Sequence, residues 1–518
     1  MTRSRRREGI ELALLSGMAD AARLQPWSRA PYARGAQPAA PAVHGRLALA
    51  HPQPESGPYA GIRLTNVVGA MSFALDLAEG QPRGHSVRTT MIGMRLAEGL
   101  GLPEESRSAL FYALLLKDLG ASSNSAHLAD IYGADDRALK RAHRLIDWTD
   151  PFDRVVYDLR HARTGRVFRN LEALRAGSRI RKGRHEMARL KGERGAEIAA
   201  MLAMPAETCA AIRAVDEHWD GNGVPAGLKG DAIPLLARII CLAQTVEVFE
   251  HSADVQAAYR VAHRRARRWF DPELVACLDA FRDDAAFWGR LQTADALPAL
   301  AAWEPDSRVV YADELRLDTV AEAFAKVIDA KSCYTLRHSQ NVAFLASRTA
   351  TEMGLTRREI RAIRRAALLH DVGKLGVSSR IVDKPAALTP PEMAEMRRHT
   401  VHTYEILRGV TRFERFAMLA ASHHERLDGS GYHQGLTADL LGLPARILAV
   451  ADVCDALCTD RPYRKGISVA AAVVQLQELA EGGTLCPVAV EALTGWFRGI
   501  PKNTDEFTAH GDSTSLAM

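Results

Sequence analysis

Histidine and aspartate residues recur along the C-terminal half of the chain, each in or next to a stretch of apolar residues. His370 and Asp371 follow the apolar run 366–369, and Lys374 comes three residues after Asp371. A buried polar group without a partner is costly, so adjacent imidazole and carboxylate groups predict a divalent metal ion as their shared partner. The candidate ligands are five histidines and two aspartates: His338, His370, Asp371, His399, His423, His424 and Asp452.

This set is sufficient for two metal ions with Asp371 between them. Imidazole together with carboxylate favours iron, manganese or zinc over magnesium or calcium alone. Two such ions activate water and neutralise a phosphate, which is the chemistry of phosphoester hydrolysis. Single members have other interpretations, since His338 could cap a helix and Asp371 could form a surface ion pair. Asp452 lies within the apolar run 447–453, where an acid needs a partner, so the complete set favours metal.

The elements that carry these residues are predicted to be helices, and the predicted fold class is all-α. The pairs Thr356 with Glu359 and Thr389 with Glu392 match the capping-box pattern that begins a helix. Each of these two helices leads to one of the candidate histidines. The capping boxes therefore predict where two of the ligand-bearing helices begin.

The chain repeats itself at two constant offsets. Residues 117–120 correspond to residues 370–373 at an offset of 253, and residues 220–223 correspond to residues 428–431 at an offset of 208. The first copy therefore contains about 45 extra residues, and repetition of this length indicates two tandem domains. The predicted organisation is a disordered tail (1–60), a first domain (61–281), a linker (282–317), a second domain (318–496) and a C-terminal tail (497–518).

Composition excludes several classes of protein. The net charge of only +5 does not indicate a nucleic-acid-binding protein. The arginine-rich segment 175–194 could bind an acidic partner or nucleic acid, but we favour a solvated helical face. No uncharged apolar run reaches about eighteen residues, so no membrane span is predicted. The first thirty residues do not read as a signal peptide, and the seven cysteines contain no CxxC pair. Reduced thiols and a cytoplasmic location are therefore expected.

Several motifs of the second copy resemble the HD-GYP subclass of HD-domain metal-dependent phosphohydrolases. They are HDVGK at 370–374, HHERLDGSGY at 423–432, Asp452, and RPYRK at 461–465. The resemblance implies an all-helical domain that hydrolyses the bacterial second messenger cyclic di-GMP to pGpG or further to GMP. It also implies a centre of iron or manganese held by histidine and aspartate.

Residue roles carried over by position follow from the same resemblance. One metal would be held by His338, His370, Asp371 and Asp452. The second would be held by Asp371, His399, His423 and His424. Asp371 and Lys374 would be the catalytic residues, with Lys374 at the scissile phosphate, and the dinucleotide pocket would be lined by Tyr432, Arg461 and Arg464.

Two positions depart from the family pattern. His433 stands where the motif carries proline, which is expected to loosen that loop. Tyr334 stands where three-metal members carry glutamate, so two metals are expected rather than three. Two other functions remain open: hydrolysis of a different nucleotide, and a catalytically weak receptor or scaffold for cyclic di-GMP. A homodimer or a signalling-protein partner is compatible with the sequence.

The first copy retains the pattern of the fold but not the ligands. Only His85 and Asp118 are kept, and the other equivalent positions carry Lys117, Ala121, Lys191, Val215, Asp216 and Gln244. Lysine at a ligand position should repel a divalent ion. Our hypothesis is that Lys117 and Lys191 replace the metal charge by pairing with Asp118 and Asp216. This copy would then fold without metal and serve in dimerisation, regulation or ligand sensing.

Overall fold

The structure, a computed structural model, describes residues 62–148, 150–161, 177–293, 297–305, 309–335, 337–410 and 413–499. The predicted disordered tail and the C-terminal tail beyond residue 499 lie outside the described residues. Within the described residues the secondary structure is helical, with only isolated β-bridges and no β-strand. The predicted all-α class is thereby confirmed.

Helices of the first half begin after residue 62 and continue through the segment that joins the two copies. They are α1 Leu64–Ala78, α2 His85–Gly99, α3 Glu104–Leu116, α4 Ser125–Tyr132, α5 Asp136–Leu145, α6 Pro151–His161, α7 Gly177–Met201, α8 Ala206–Arg213, α9 Leu235–Ser252, α10 Val255–Arg265, α11 Pro272–Asp279, α12 Ala285–Thr293 and α13 Leu297–Ala301.

The helices of the second half follow in chain order. They are α14 Glu314–Asp329, α15 His338–Glu352, α16 Arg357–Leu369, α17 Ser379–Val382, α18 Pro390–Leu407, α19 Glu414–Ala421, α20 Leu443–Cys458, α21 Val469–Glu481 and α22 Pro487–Gly499. A short 3-10 turn, Val372–Gly376, lies between α16 and α17.

The two predicted capping boxes begin α16 and α18, as expected from the sequence. The Glu359 carboxylate accepts hydrogen bonds from the Thr356 backbone N–H and hydroxyl at 2.9 and 2.7 Å. Glu392 accepts the same two bonds from Thr389 at 2.8 Å each. These contacts satisfy orphan groups at the helix start and so fix the first residue of each ligand-bearing helix.

The described residues between 62 and 499 belong to one compact unit in which the two halves pack against each other. Helix α1 packs on the Val372–Gly376 turn and on α18. The chain preceding α1 also pairs with the segment preceding α14, where the Leu64 N–H donates to the Val310 carbonyl at 2.7 Å. The predicted linker is packed as well, since Phe287 and Leu291 of α12 are fully buried. The domain boundaries stay a prediction.

Close backbone contact explains the glycine shared by the two copies of the motif. A Cβ atom on Gly373 would lie 1.9 Å from the carbonyl oxygen of His399, and one on Gly120 would lie 1.9 Å from that of Lys191. No real Cβ tolerates such a distance, so only glycine fits. The contact brings the turn after α16 directly onto α18 and places His399 beside Asp371.

Three predictions from the sequence concern membrane spans, the cysteines and the arginine-rich segment. None of the described helices is both long and apolar enough to cross a membrane. The six cysteines whose side chains are described are free thiols. The arginine-rich segment falls partly in α7, where Arg189 is exposed and pairs with Glu186 and Glu193.

Candidate metal centre

The seven predicted ligands come together from the ends of three helices and the middle of two others. His338 is the first residue of α15, His370 and Asp371 follow α16, and His399 lies in α18. The pair His423-His424 follows α19, and Asp452 lies inside α20. All of these side chains are buried except that of His424, which is 21% exposed.

Asp371 lies at the centre of this cluster and presents one oxygen to each side. Its Oδ2 atom is 3.5 Å from His338 Nε2 and 3.3 Å from His370 Nε2. Its Oδ1 atom is 3.5 Å from His399 Nε2 and 3.6 Å from His423 Nε2. One carboxylate therefore faces two pairs of imidazoles, as a group shared by two metal ions would.

Asp452 connects the cluster on the side away from α18. Its Oδ1 atom lies 3.4 Å from His338 Nε2 and 3.7 Å from His370 Nε2, while Oδ2 lies 3.7 Å from His424 Nδ1. The sequence places Asp452 in an apolar helix, where a buried acid needs a partner. The histidines of the cluster are these partners.

Three of the histidines are held in one tautomer by the backbone. The Nδ1 atoms of His370, His399 and His423 each lie 2.7 Å from the carbonyl oxygen three residues earlier. A carbonyl only accepts, so Nδ1 carries the proton and Nε2 keeps its lone pair. The lone pairs point to Asp371, which is the form and orientation in which imidazole binds a metal.

His338 is oriented by a carboxylate instead. Its Nδ1 atom lies 2.6 Å from Asp455 Oδ2, and the other oxygen of Asp455 accepts from Asn341 Nδ2 at 2.9 Å. A carboxylate behind a ligating histidine fixes the ring and raises its basicity. Asp455 is a functional residue that the sequence analysis missed. The available signal was a second acid three residues after Asp452 on the same apolar helix.

The ionisation states suit a cation-binding site. Burial lowers the pKa of His399 to about 4 and holds the pKa values of His423 and His424 well below their usual range. Burial opposes ionisation of Asp371, but His370 and Lys374 outweigh it and hold its pKa well below the usual range. The imidazoles of His399, His423 and His424 are thus neutral beside an ionised carboxylate at neutral pH.

His338 differs from His399, His423 and His424 because it faces several carboxylates. Burial disfavours its charged form, but hydrogen bonds to Asp371, Asp452 and Asp455 outweigh burial and raise its pKa well above the usual range. The carboxylates therefore require a positive charge at this position. A proton supplies it in the bare protein, and a divalent cation would supply it in the metal-loaded protein.

The residues present fit a metal centre on two observations. His370 Nε2 and Asp371 Oδ1 are buried and have no hydrogen-bond partner, which is a costly arrangement unless a further group binds them. Three overlapping groups of ligand atoms each lie within 4.8 Å: His399-His423-His424, His338-His370-Asp452 and His370-Asp371-His423. Together these groups contain every predicted ligand.

The other predicted site residues are placed differently. Lys374 Nζ lies 2.5 Å from Asp371 Oδ2, and the Tyr432 ring lies 4.7 Å from the His424 ring. The Arg464 guanidinium donates to the carbonyls of Ala456, Leu457 and Lys465. Arg464 thus caps the end of α20, and neither it nor Arg461 has a recorded contact with the ligand cluster. Their substrate role stays a prediction.

In the first half, lysines replace the ligands as the hypothesis requires. Lys117 Nζ forms an ion pair with Asp118 and lies 3.2 Å from His85 Nε2. Lys191 Nζ lies 3.5 Å from Asp118 and 3.6 Å from Asp216. Among the residues that the structure describes, no group of three metal-type ligands is found in this half. The predicted pairing of the two lysines is confirmed.

The first-half counterpart of the metal centre, around Asp118, is here called the pseudo-site. It contains a third cation that was not predicted. Arg144 reaches in from α5, within the extra residues of the first copy, and donates to Asp118 at 2.9 Å, Glu79 at 2.8 Å and Gln244 at 2.8 Å. Burial opposes ionisation of Asp118, but Lys117, Arg144 and Lys191 outweigh it and hold its pKa well below the usual range. Sequence comparison of the copies could not reveal Arg144 because the second copy has no equivalent segment.

Asp455→Asn is expected to weaken metal binding by about 10- to 100-fold, because the carboxylate that orients His338 loses its charge. The affinity is measured by competition with a chelator at fixed pH. Asp439→Asn, at an exposed position of the same half, is the matched control and should bind metal as the wild type does. An affinity of the Asp455 variant within twofold of the wild type would contradict this role.

Arg144→Met is expected to lower the free energy of unfolding by about 1.5–3 kcal/mol, because buried Asp118 and Glu79 each lose a charged hydrogen-bond donor while Lys117, Lys191 and Lys140 remain. Denaturant titration measures the change. Arg189→Met removes an exposed arginine with two ion pairs and should leave the unfolding midpoint unchanged. Equal effects of the two substitutions would show that the buried cluster has no special importance.

Comparison with known proteins agrees with this geometry. The profile of the HD domain family matches residues 169–274 and 322–483, one segment in each half. The 3'3'-cGAMP-specific phosphodiesterase 3 of Vibrio cholerae is 34% identical over 419 residues, which cover 80% of this chain and 90% of that protein. The cyclic di-GMP phosphodiesterase of Thermotoga maritima is 35% identical over 202 residues, covering 38% of this chain and 55% of that protein.

A solved structure shows the same arrangement over both halves. The crystal structure of a cyclic GMP-AMP specific phosphodiesterase from V. cholerae superposes with a TM-score of 0.58 at 29% identity, covering 85% of this chain and 99% of that chain. Family profile, full-length relative and solved structure agree with the motifs at the metal centre. The chain therefore belongs to the HD-domain family and is of the HD-GYP type.

Proposed function

We propose that this chain hydrolyses a guanine-containing cyclic dinucleotide at the metal centre of its second half. The observation that carries the proposal is the set of six candidate ligands around the seventh, Asp371, with the Lys374 ammonium 2.5 Å from its Oδ2 atom. A receptor that only bound the dinucleotide would not need this set. The relatives described above are named as cyclic dinucleotide phosphodiesterases, which supports the same reaction class here.

The proposed cofactors are two divalent transition metals, iron or manganese, in subsites that share Asp371. When bound, they would supply positive charge for the phosphate and lower the pKa of water. Backbone carbonyls fix the rings of His370, His399 and His423 with Nε2 towards the subsites, and Asp455 fixes the ring of His338, so the ligands need no rearrangement. Lys374 is 16% exposed, and its ammonium is therefore available to a phosphate oxygen at the open side.

A stack of three side chains extends from the ligands towards solvent. The Tyr432 ring lies against His424 with 33° between the ring planes, and the guanidinium of exposed Arg397 lies 5.0 Å from the centre of the Tyr432 ring. Aromatic and guanidinium planes stack on nucleobases, and a guanidinium also pairs with phosphate. We propose Tyr432 and Arg397 as the wall of the dinucleotide pocket nearest the metals.

Two substrates fit this proposal. Cyclic di-GMP is favoured by the motifs of the second half. A second candidate, 3'3'-cGAMP, is favoured by one observation: the V. cholerae relative that aligns over both halves, including the degenerate one, is named for that substrate. Both contain a guanine and two phosphodiesters, and both suit a stacking wall beside a cationic centre.

The deciding experiment uses the full chain, reconstituted anaerobically with Fe²⁺ or with Mn²⁺. Cyclic di-GMP, 3'3'-cGAMP and cyclic di-AMP are each incubated with it, and products are separated by chromatography. We expect a linear dinucleotide from at least one guanine-containing substrate, with kcat/KM ranking the two. Asp371→Asn should abolish product, because both subsites lose their shared charge.

Asp216→Asn is the matched control, since Asp216 is the first-half counterpart of His424 and lies 3.6 Å from Lys191. This variant should retain metal-dependent activity. If the wild type binds two metals but cleaves none of the three dinucleotides, the proposed reaction is wrong. A binding titration on the same sample then separates a receptor from an enzyme for another nucleotide.

The loop that carries Tyr432 is held by a buried carboxylate, and the effect of the missing proline on its mobility stays a prediction. The Glu425 carboxylate accepts backbone N–H groups of Gln434, Gly435 and Leu436 at 2.7, 3.2 and 2.9 Å. His433 adopts φ +115°, a left-handed conformation that L residues rarely adopt. Proline is restricted to φ near −65°, so this loop has a conformation that the family's proline could not enter.

His433→Pro is therefore expected to damage the protein, although it restores the family motif. The ring would force the backbone away from φ +115° and displace Tyr432, raising KM for the dinucleotide. His433→Gly, which tolerates positive φ, should keep KM near that of the wild type. Steady-state kinetics of both variants measure the difference, and a proline variant with lower KM than the glycine variant would contradict the argument.

A further inference from the structure

A buried carboxylate of the first half reaches into the second half near the metal centre. Asp136 is the first residue of α5 and is 0% exposed. It is not the cap of its own helix, because the Asp135 side chain accepts the Arg137 N–H in that role at 3.0 Å. The Asp136 carboxylate is therefore free to bind groups outside α5.

Its partners belong to two segments that flank the metal centre. Oδ2 accepts from Lys331 Nζ at 2.9 Å, and Oδ1 accepts from the Ser379 N–H at 2.8 Å. The Ser378 hydroxyl lies 3.4 Å from Oδ1. Lys331 is only 2% exposed, so this is a buried ion pair between the two halves, joined to the start of α17.

Both segments lead directly to site residues. Ser379 follows the turn Val372–Gly376, which carries Lys374. Lys331 comes two residues after Asp329, whose Oδ1 accepts the Ser339 N–H and hydroxyl at 3.2 and 2.7 Å beside His338. A single carboxylate thus ties the loop of the catalytic lysine to the turn that presents a metal ligand.

A second contact from α5 supports the same loop. Arg137 donates to the Gly376 carbonyl and lies 3.3 Å from Glu395, one helical turn before His399. The residues of α5 that approach the second half therefore contact the turn Val372–Gly376, the start of α17 and helix α18.

The opposite end of α5 is anchored in the first half by buried cations. Lys140 Nζ donates to the carbonyls of Ala78 and Ala121 at 3.0 and 2.8 Å and to the Ser125 hydroxyl at 2.8 Å. Arg144 lies one turn further on, in the pseudo-site. Helix α5 is consequently a rigid connection from the charge cluster of the first half to the loop of Lys374.

We propose that Asp136 is a positioning residue for the reaction of the second half, and that the degenerate half thereby completes the active site. It holds Lys374 and His338 in register through Ser379 and Lys331. The kinetic part of this inference rests on the proposed function, while the structural part does not. The extra segment of the first copy has the role of placing this carboxylate.

The test uses Asp136→Asn in the full chain, together with the double variant Asp136→Asn/Lys331→Met. The single variant leaves the Lys331 ammonium buried without its charge partner and should lower the unfolding temperature. The double variant removes that charge and should recover most of the stability. In both, we expect backbone amides of residues 372–383 to exchange hydrogen at least about tenfold faster, because the tie to Ser379 is weakened.

In kinetics at saturating metal, both variants should lose kcat by up to about 100-fold with KM changed less than about twofold, since misplacement of a catalytic group has this effect. Asp231→Asn, an exposed first-half carboxylate paired with Arg238, is the control and should match the wild type. A double variant with wild-type stability and wild-type kcat would overturn the proposal, as would unchanged exchange in 372–383.

The exchange measurement separates this inference from the proposed function. If the wild type cleaves no cyclic dinucleotide, the proposed function fails, but faster exchange in the variants still supports the positioning role. If the wild type is active and exchange is unchanged, the proposed function stands and the positioning role is wrong.

Discussion

The structure depends on a buried carboxylate at the end of an apolar helix. This carboxylate must be surrounded by positively charged side chains or by ligands that bind a cation. In the second half this carboxylate is Asp371, and imidazole nitrogens face both of its oxygens. In the first half it is Asp118, and Lys117, Arg144 and Lys191 surround it. The same electrostatic requirement is thus met by a metal-type site in one copy and by fixed cations in the other.

The framework around this carboxylate is kept in both halves even where the ligands are lost. Glycine allows the same 1.9 Å backbone approach in each copy. Asp455 behind His338 corresponds to Glu247 behind His85, and both carboxylates bind Nδ1 of the imidazole. The frame is retained because it stabilises the helix packing itself, whereas the ligands are needed only where the chemistry takes place.

The degenerate half also accounts for features of the active half that its own residues do not explain. Helix α5 is anchored by Lys140 and Arg144 on one side and presents Asp136 to the turn after Lys374 on the other. A half without metal ligands can therefore contribute to the reaction by holding a loop in place. With the positioning role that we propose for Asp136, the extra segment of the first copy would be part of the active site rather than only a surface element.

Residue pattern alone was enough for the helical class, the internal repeat, the capping boxes, the set of candidate ligands and the lysine replacements of the first copy. These features are local or recur at constant offsets, and adjacent residues such as Lys117 and Asp118 are already neighbours in the chain. The contacts of Asp455, Arg144 and Asp136 required the tertiary structure, because each binds a partner more than twenty residues away in the chain. Packing likewise decided that Arg464 caps α20 and that His433 holds a conformation closed to proline. Contacts between distant segments depend on how helices meet, and no single segment of the sequence encodes that meeting.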